Sequence, residues 1–435
     1  MVTTELTSPR ITKVWAENFR SIENLNLDLD ALTVLVGPNA SGKSNIVDIL
    51  RFVADATKNG LDSALTSRRG DHVARRTTSR RRHTDVTVGV SVVSGTSTVD
   101  YEFVVRLFKD ARYEVIREEA RLSFPESDEN DLYIEIKKGV LSLPRSQRPK
   151  GMSLKDFDSI TKRFRSSASD ASVGSTVTNL DFPFRSFLAM FNLFDTDDGE
   201  ESFRAHMSQI RAMGAASDFL KNMRFYHIFP DSLREPQLLS SKYPLQEHGE
   251  NLASVLADMK GKKSPHMEEL IKVLGQVVPG VKDVSVTRAG GHLVISIQHQ
   301  EGNASGKGIW LDASQESDGT LRTLGLLAAL FQDPTPAFIT IEEPELTIHP
   351  GALSIIADLI VETSHRASLL VTTHSPELLD SLPIDSIRSV GAELGCTQVG
   401  PVALHQKTAV LEGLFSPGEL HRIEGLESDI RQEAD

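Results

Sequence analysis

Gly37-Pro38-Asn39-Ala40-Ser41-Gly42-Lys43-Ser44 follows the apolar run Leu32 to Val36 and precedes Ile46, Val47, Ile49, Leu50 and Val53, which recur at helical spacing. A buried strand, a turn of the pattern GxxxxGK[ST] and a helix form the context in which that pattern cradles phosphate. Glycines let the backbone close around phosphate oxygens with its N–H groups turned inward, and the helix N-terminus adds partial positive charge. Gly37 through Ser44 therefore reads as a nucleotide site. Lys43 is placed to bridge the β- and γ-phosphates, and the Ser44 hydroxyl to ligate Mg²⁺. A ligand-free turn capped by serine is the bland alternative, and the strand and helix on either side argue against it.

Cleaving a phosphate also requires carboxylates where a neighbouring buried strand leaves its sheet. Phe338-Ile339-Thr340-Ile341-Glu342-Glu343-Pro344 supplies two. Glu342 is placed to hold Mg²⁺, directly or through water, and Glu343 to polarise the attacking water. Leu369-Leu370-Val371-Thr372-Thr373-His374-Ser375-Pro376 is a third such exit. There Ser375 and Pro376 can start a helix with His374 incidental, or His374 can bond the γ-phosphate and sense its loss. The two readings are compatible.

The rest of the 435-residue chain implies two or more domains. The expected organisation is an N-terminal lobe over 1–143 carrying the phosphate loop and antiparallel strands, a mainly helical insertion over 144–225 and a C-terminal lobe over 226–435. Strands are expected at Ile11 to Phe19, Val86 to Val93, Val99 to Phe108, Tyr113 to Ile116 and Leu132 to Ile136, with a hairpin return to Leu143. Residues 57 to 84 read as a loop, and Phe182 to Phe194 as an aromatic-rich helix. In the last third, helices and buried strands alternate from Thr320 to Leu382, which implies a parallel α/β sheet. No apolar run approaches the ~18 residues of a membrane span, and the opening residues lack the apolar core of a secretory signal. Cys396 is the only cysteine, which excludes an internal disulfide and a Cys-rich zinc site and fits a cytoplasmic location. The net charge of −13 repels nucleic acid on average, so binding DNA would need a local basic patch. Arg68, Arg69, Arg75, Arg76, Arg80, Arg81 and Arg82 make one candidate, with a solvated loop or a site for an acidic protein as equal alternatives.

Together the phosphate loop, Ser317-Asp318-Gly319-Thr320, Ile341-Glu342-Glu343-Pro344-Glu345 and Thr373-His374-Ser375-Pro376 resemble the ABC-type ATPase heads of the RecF, SMC and OLD proteins. Asn18-Phe19-Arg20-Ser21-Ile22 and Gly249-Glu250-Asn251-Leu252-Ala253 look most like the standalone OLD-like branch. The likeness covers residues 11 to 56 and about 226 to 384. It implies a P-loop NTPase of ABC type whose mixed sheet is joined to an antiparallel lobe. It further implies ATP held between two heads, hence a homodimer or higher even oligomer. By the same resemblance Ser317 and Gly319 form the signature that meets the nucleotide of the other head. Glu342 matches the magnesium acid, Glu343 the catalytic glutamate, His374 the switch histidine and Glu345 to His349 the loop at the dimer interface. The signature departs from Ser-Gly-Gly-Gln, with an aspartate that must point away from phosphate. The magnesium acid is glutamate instead of aspartate, and the usual glutamine after the first lobe has only Gln237 and Gln246 as candidates. OLD nucleases carry a further TOPRIM domain, for which the 60 residues after Ser375 are expected to be too few. These features lead to an expected ATPase that controls DNA or a separate effector protein, with anti-phage defence as its setting. The alternatives are a RecF-like repair factor and a low-turnover, ATP-bound scaffold.

Overall fold

Strands come first, and in two kinds. β1 (Arg10–Phe19) and β2 (Ile22–Asp28) mix buried with exposed side chains, whereas β3 (Leu32–Val36) is buried at every residue. The first pattern belongs to a sheet with one wet face, the second to a sheet covered on both. The computed structural model describes residues 9–69, 73, 83–108, 112–124, 132–137, 140–142, 200–240, 243–300 and 308–429. The described residues of Met1–Asp30, Ala40–Met223 and Ala392–Val399 form one unit, and those of Ala31–Asn39, Arg224–Gly391 and Gly400–Asp435 another.

In the first unit α1 (Lys43–Asn59) begins at the phosphate loop and buries Ile46, Val47, Ile49, Leu50 and Val53, as their spacing predicts. It runs to Gly60, whose φ of 85° redirects the chain into α2 (Leu61–Thr66). The expected loop at 57–84 thus begins as helix. Leu61, Ala64 and Leu65 are buried at helical spacing, a short signal overshadowed by the arginines that follow. β4 (His83–Ser94), β5 (Ser97–Phe108), β6 (Tyr113–Ser123), β7 (Leu132–Lys137) and β8 (Val140–Ser142) complete an antiparallel sheet in the order β2-β1-β4-β5-β6-β7-β8. α3 (Glu200–Lys221) packs against α1 and β4. Phe19, Phe52 and Phe103 join β1, α1 and β5 through tilted ring pairs at 5.8 and 5.6 Å. The stretches 144–199, with Phe182 to Phe194, and 74–82 lie outside the described residues.

The second unit holds β3 and continues with β9 (Arg224–Tyr226), α4 (Pro230–Arg234) and β10 (Gln237–Leu238). α5 (Leu252–Gly261) and α6 (Pro265–Val277) precede the hairpin of β11 (Val281–Ala289) and β12 (His292–His299). β13 (Ile309–Asp312) pairs with β12, and α7 (Asp318–Phe331) follows. Every α7 residue from Thr320 to Phe331 is buried, so this helix forms the centre of the core. β14 (Phe338–Glu342), α8 (Leu353–Ser364), β15 (Ser368–Thr373) and α9 (Pro376–Leu379) supply the alternation expected from the sequence. β16 (Ile387–Glu393) and β17 (Cys396–Pro401) lead to α10 (Leu404–Leu411) and α11 (Pro417–Ile423). The central sheet is parallel, with β16-β3-β15-β14-β9 as successive neighbours. Among the described residues no helix is long and apolar enough to cross a membrane.

Candidate active site

The register of the parallel sheet determines what its C-terminal edge presents. Val36 of β3 lies opposite Thr373 of β15, and Thr372 lies opposite Glu342 of β14. Gly37, His374 and Glu343 are therefore the first residues beyond three adjacent strands. This edge is where ligands collect in such sheets, because the strands end while the loops diverge.

Beyond Gly37 the loop enters α1 through Ala40 and Gly42, both at positive φ (64° and 107°). Ser41 is 2% exposed, and its Oγ has no hydrogen-bond partner among the described residues. Lys43, at the first helical position, is buried, while Ser44 is exposed. The first N–H groups of an α-helix have no acceptor within the helix, so α1 presents donors at the place where the sequence predicts phosphate.

Glu343 adopts φ 49°, a left-handed conformation costly for a side chain with a Cβ. Its N–H donates to Thr372 O at 2.9 Å, and its carbonyl accepts from Arg322 Nη2 at 3.1 Å. Arg322 comes from α7 and is 7% exposed. Burial draws its guanidinium below the ordinary value, and Glu343 and Glu345 oppose that shift. The buried Glu345 accepts at Oε1 from Thr373 Oγ1 (2.8 Å) and from His374 N (3.0 Å). Its Oε2 has no hydrogen-bond partner among the described residues. His374 Nδ1 stands 3.4 Å from Glu345 Oε1 and 3.6 Å from Glu343 Oε1. Ser375 also caps α9, accepting from Leu378 N at 3.3 Å, so the capping reading holds alongside whatever His374 does.

Ser317 caps α7, accepting from Thr320 N at 3.1 Å. Asp318 is ion-paired to Arg234, which explains how an aspartate is tolerated in this position. A Cβ on Gly319 would lie 2.5 Å from the carbonyl oxygen of Thr347, so the glycine lets α7 touch the loop after Glu345. Gln237 spends its amide on backbone, donating to Ser232 O and Gly249 O and accepting from Ala253 N. Gln246 is exposed.

The sequence reading passed over His227. Tyr226 pairs with Ile341, so His227 leaves β9 level with Glu342. Burial lowers its pKa, and Glu342 is the chief opposing charge. Its ring stacks on Phe229 at 4.4 Å, and Phe229 meets His248 at 4.8 Å. A lone histidine after a three-residue strand carries no motif, and only the β9–β14 pairing reveals its place. Of the seven arginines, Arg69 is exposed and Arg68 is turned inward. Arg68 pairs with Asp48 (3.0 Å) and Asp55 (2.8 Å) and lies 5.3 Å above the Phe52 ring. Arg75, Arg76, Arg80, Arg81 and Arg82 lie outside the described residues.

Residues 32–380 match the family model described as "AAA domain, putative AbiEii toxin, Type IV TA system". The chain is also 48% identical over 48 residues to the chromosome partition protein Smc of Methanocaldococcus jannaschii. That match takes in 11% of this chain and 4% of the relative's length. Among solved structures, an SmcHead bound to the C-winged helix domain of ScpA gives TM-score 0.49 at 14% identity, covering 92% of this chain and 99% of that one. The Pyrococcus furiosus Smc head domain with an extended coiled coil, bound to the C-terminal domain of ScpA, gives 0.47 at 13%, covering 93% and 99%. The SMC head domain from Thermotoga maritima gives 0.39 at 13%, covering 91% and 100%.

Proposed function

The chain belongs to the AAA-domain family whose description names the AbiEii toxin of a type IV toxin–antitoxin system, and on that premise we propose a Mg²⁺-dependent ATPase that controls a separate effector protein. The observation that carries this reading is the alignment of three strand exits on one edge, namely Gly37, Glu342–Glu343 and His374. Gly37 to Ser44 would wrap the phosphates of ATP, with Lys43 between the β- and γ-phosphates. Ser44 and Glu342, both hard oxygen donors, are the residues that would hold Mg²⁺, an ion that keeps most of its waters. When bound, the ion would neutralise phosphate charge. Glu343, its backbone fixed by Arg322 and Thr372, would orient the attacking water. His374 would meet the γ-phosphate with its ring steadied by Glu345. Ser317 and Gly319, at the start of α7, would be offered to the nucleotide of a second copy, which makes the working unit a dimer. An OLD-like ATPase in anti-phage defence, restrained or read by a partner, is the setting that agrees with the family description. RecF-like DNA binding loses support from Arg68, whose guanidinium serves Asp48 and Asp55.

Steady-state ATP hydrolysis, with and without duplex DNA, tests the reading against Lys43→Ala and Glu343→Gln. The expected outcome is turnover that is indifferent to DNA and falls by about a hundredfold or more in both variants. Stimulation by DNA would return weight to the repair reading. Tight ATP binding without turnover above the variants would replace the engine with a clamp.

A further inference from the structure

The motif Asn18-Phe19-Arg20-Ser21 has no part in the chemistry above, yet its turn lies against the first helix of the nucleotide site. Arg20 reaches Asp48 of α1 at 2.8 Å. Ser21 Oγ accepts from Asn45 Nδ2 at 2.6 Å, and Asn45 is the residue after Ser44. The same Ser21 Oγ is 2.6 Å from Thr397 Oγ1, and Thr397 N donates to Ser21 O at 2.9 Å. Thr397 is 3% exposed and belongs to β17. Its side chain fills the space that a Cβ on Gly42 would need, with Oγ1 at 1.9 Å, Cγ2 at 2.7 Å and Cβ at 2.9 Å from that point.

We propose that the Ser21–Thr397 hydroxyl pair is a positioning device for the nucleotide loop, fixing Gly42 and Asn45 on either side of Lys43 and Ser44. This rests on the ATPase reading and adds residues that the phosphate motif does not contain. Gly42, at φ 107°, has the Thr397 side chain where a Cβ would stand, while Asn45 is linked through Ser21 to the same threonine. One side chain on a distant strand thus braces both ends of the Lys43–Ser44 step. Packing alone does not account for it, because valine would fill the same volume without the hydroxyl that closes the relay. A preorganised loop binds phosphate without first being ordered, so the relay should act on nucleotide affinity and little on the chemical step.

The test uses the full chain with a fluorescent ATP analogue, thermal melting and steady-state kinetics. Thr397→Val should weaken nucleotide binding by about three- to tenfold, the range that one internal hydrogen bond carries, and raise KM with kcat within about twofold. Thr397→Ser should restore binding to within about twofold, since it keeps the hydroxyl. Ser21→Ala should weaken binding like Thr397→Val, and the double variant should be no worse than either single one, because both break one relay. Binding by Thr397→Val as tight as that of the unaltered chain would overturn the proposal, as would equal losses in Thr397→Ser and Thr397→Val. Should the unaltered chain bind no better than Lys43→Ala, the ATPase reading falls first and this inference with it.

Discussion

Glu118 is 4% exposed and accepts from Tyr101 Oη at 2.9 Å. Burial lifts its carboxyl to about 8, the Tyr101 hydrogen bond pulling the other way, while burial and Glu118 raise Tyr101 well above its usual range. The folded chain therefore keeps a proton that the unfolded chain releases above pH about 4.5, so this group's stabilising contribution declines as pH rises from there to about 8. Glu118→Gln, neutral throughout and able to keep a bond to Tyr101, should flatten that decline. Melting temperatures at several pH values would show it, and a variant with the unaltered slope would refute the assignment. His227 calls for a different measurement. Level with Glu342 and coupled to it electrostatically, it should matter to turnover and little to ATP capture by the phosphate loop. We expect His227→Ala to lower kcat by about tenfold or more with nucleotide affinity nearly kept. Equal loss of both would make it a structural residue of the β9 exit.

At the scale of elements, what the sequence made legible follows burial. β3, β14 and β15 are buried on both faces and read as runs of apolar and β-branched residues, and α7 reads as the helix that precedes β14. The three motif-bearing strand exits followed from those elements. β2, β16 and β17 were missed because each mixes buried with exposed or polar positions and lacks a run long enough to stand out. Contacts between distant segments left no trace either: nothing in the order of residues pairs Arg234 with Asp318, Thr397 with Gly42 or Arg322 with Glu343. Gly319 is an instructive case. The signature reading assigns it to phosphate, yet the structure gives it a second reason in the close approach of α7 to Thr347, itself at φ 65°. Gly319→Ala should therefore destabilise the nucleotide-free protein, by about 1–3 kcal/mol for an overpacked contact against backbone. Urea unfolding without ATP isolates this effect, and an unchanged midpoint would leave only the phosphate role.

For the whole molecule, charge and site architecture bear on which partners it can meet. A surface of net charge −13 disfavours polyanions at long range, and at physiological salt only groups within about 8 Å escape screening. Arg68 adds no charge for DNA, since Asp48 and Asp55 surround its guanidinium. A second copy of the chain carries the same −13 and is likewise repelled at long range, so the nucleotide contact itself must supply the attraction at short range. α7 begins at Ser317 and Gly319, and its first-turn Asp318 is ion-paired to Arg234, so the approach of a phosphate to that end is not opposed by a bare carboxylate. Association should then depend on a trapped triphosphate. In Glu343→Gln, where hydrolysis is blocked and ATP persists, light scattering should give twice the mass of one chain with ATP and Mg²⁺ and a single chain without them. Ser317→Arg, placed at the offered end, should abolish the dimer while the monomer still binds ATP. A Glu343→Gln chain that stays single at saturating ATP would remove the dimer from the mechanism, and Glu343 would then act within one head alone.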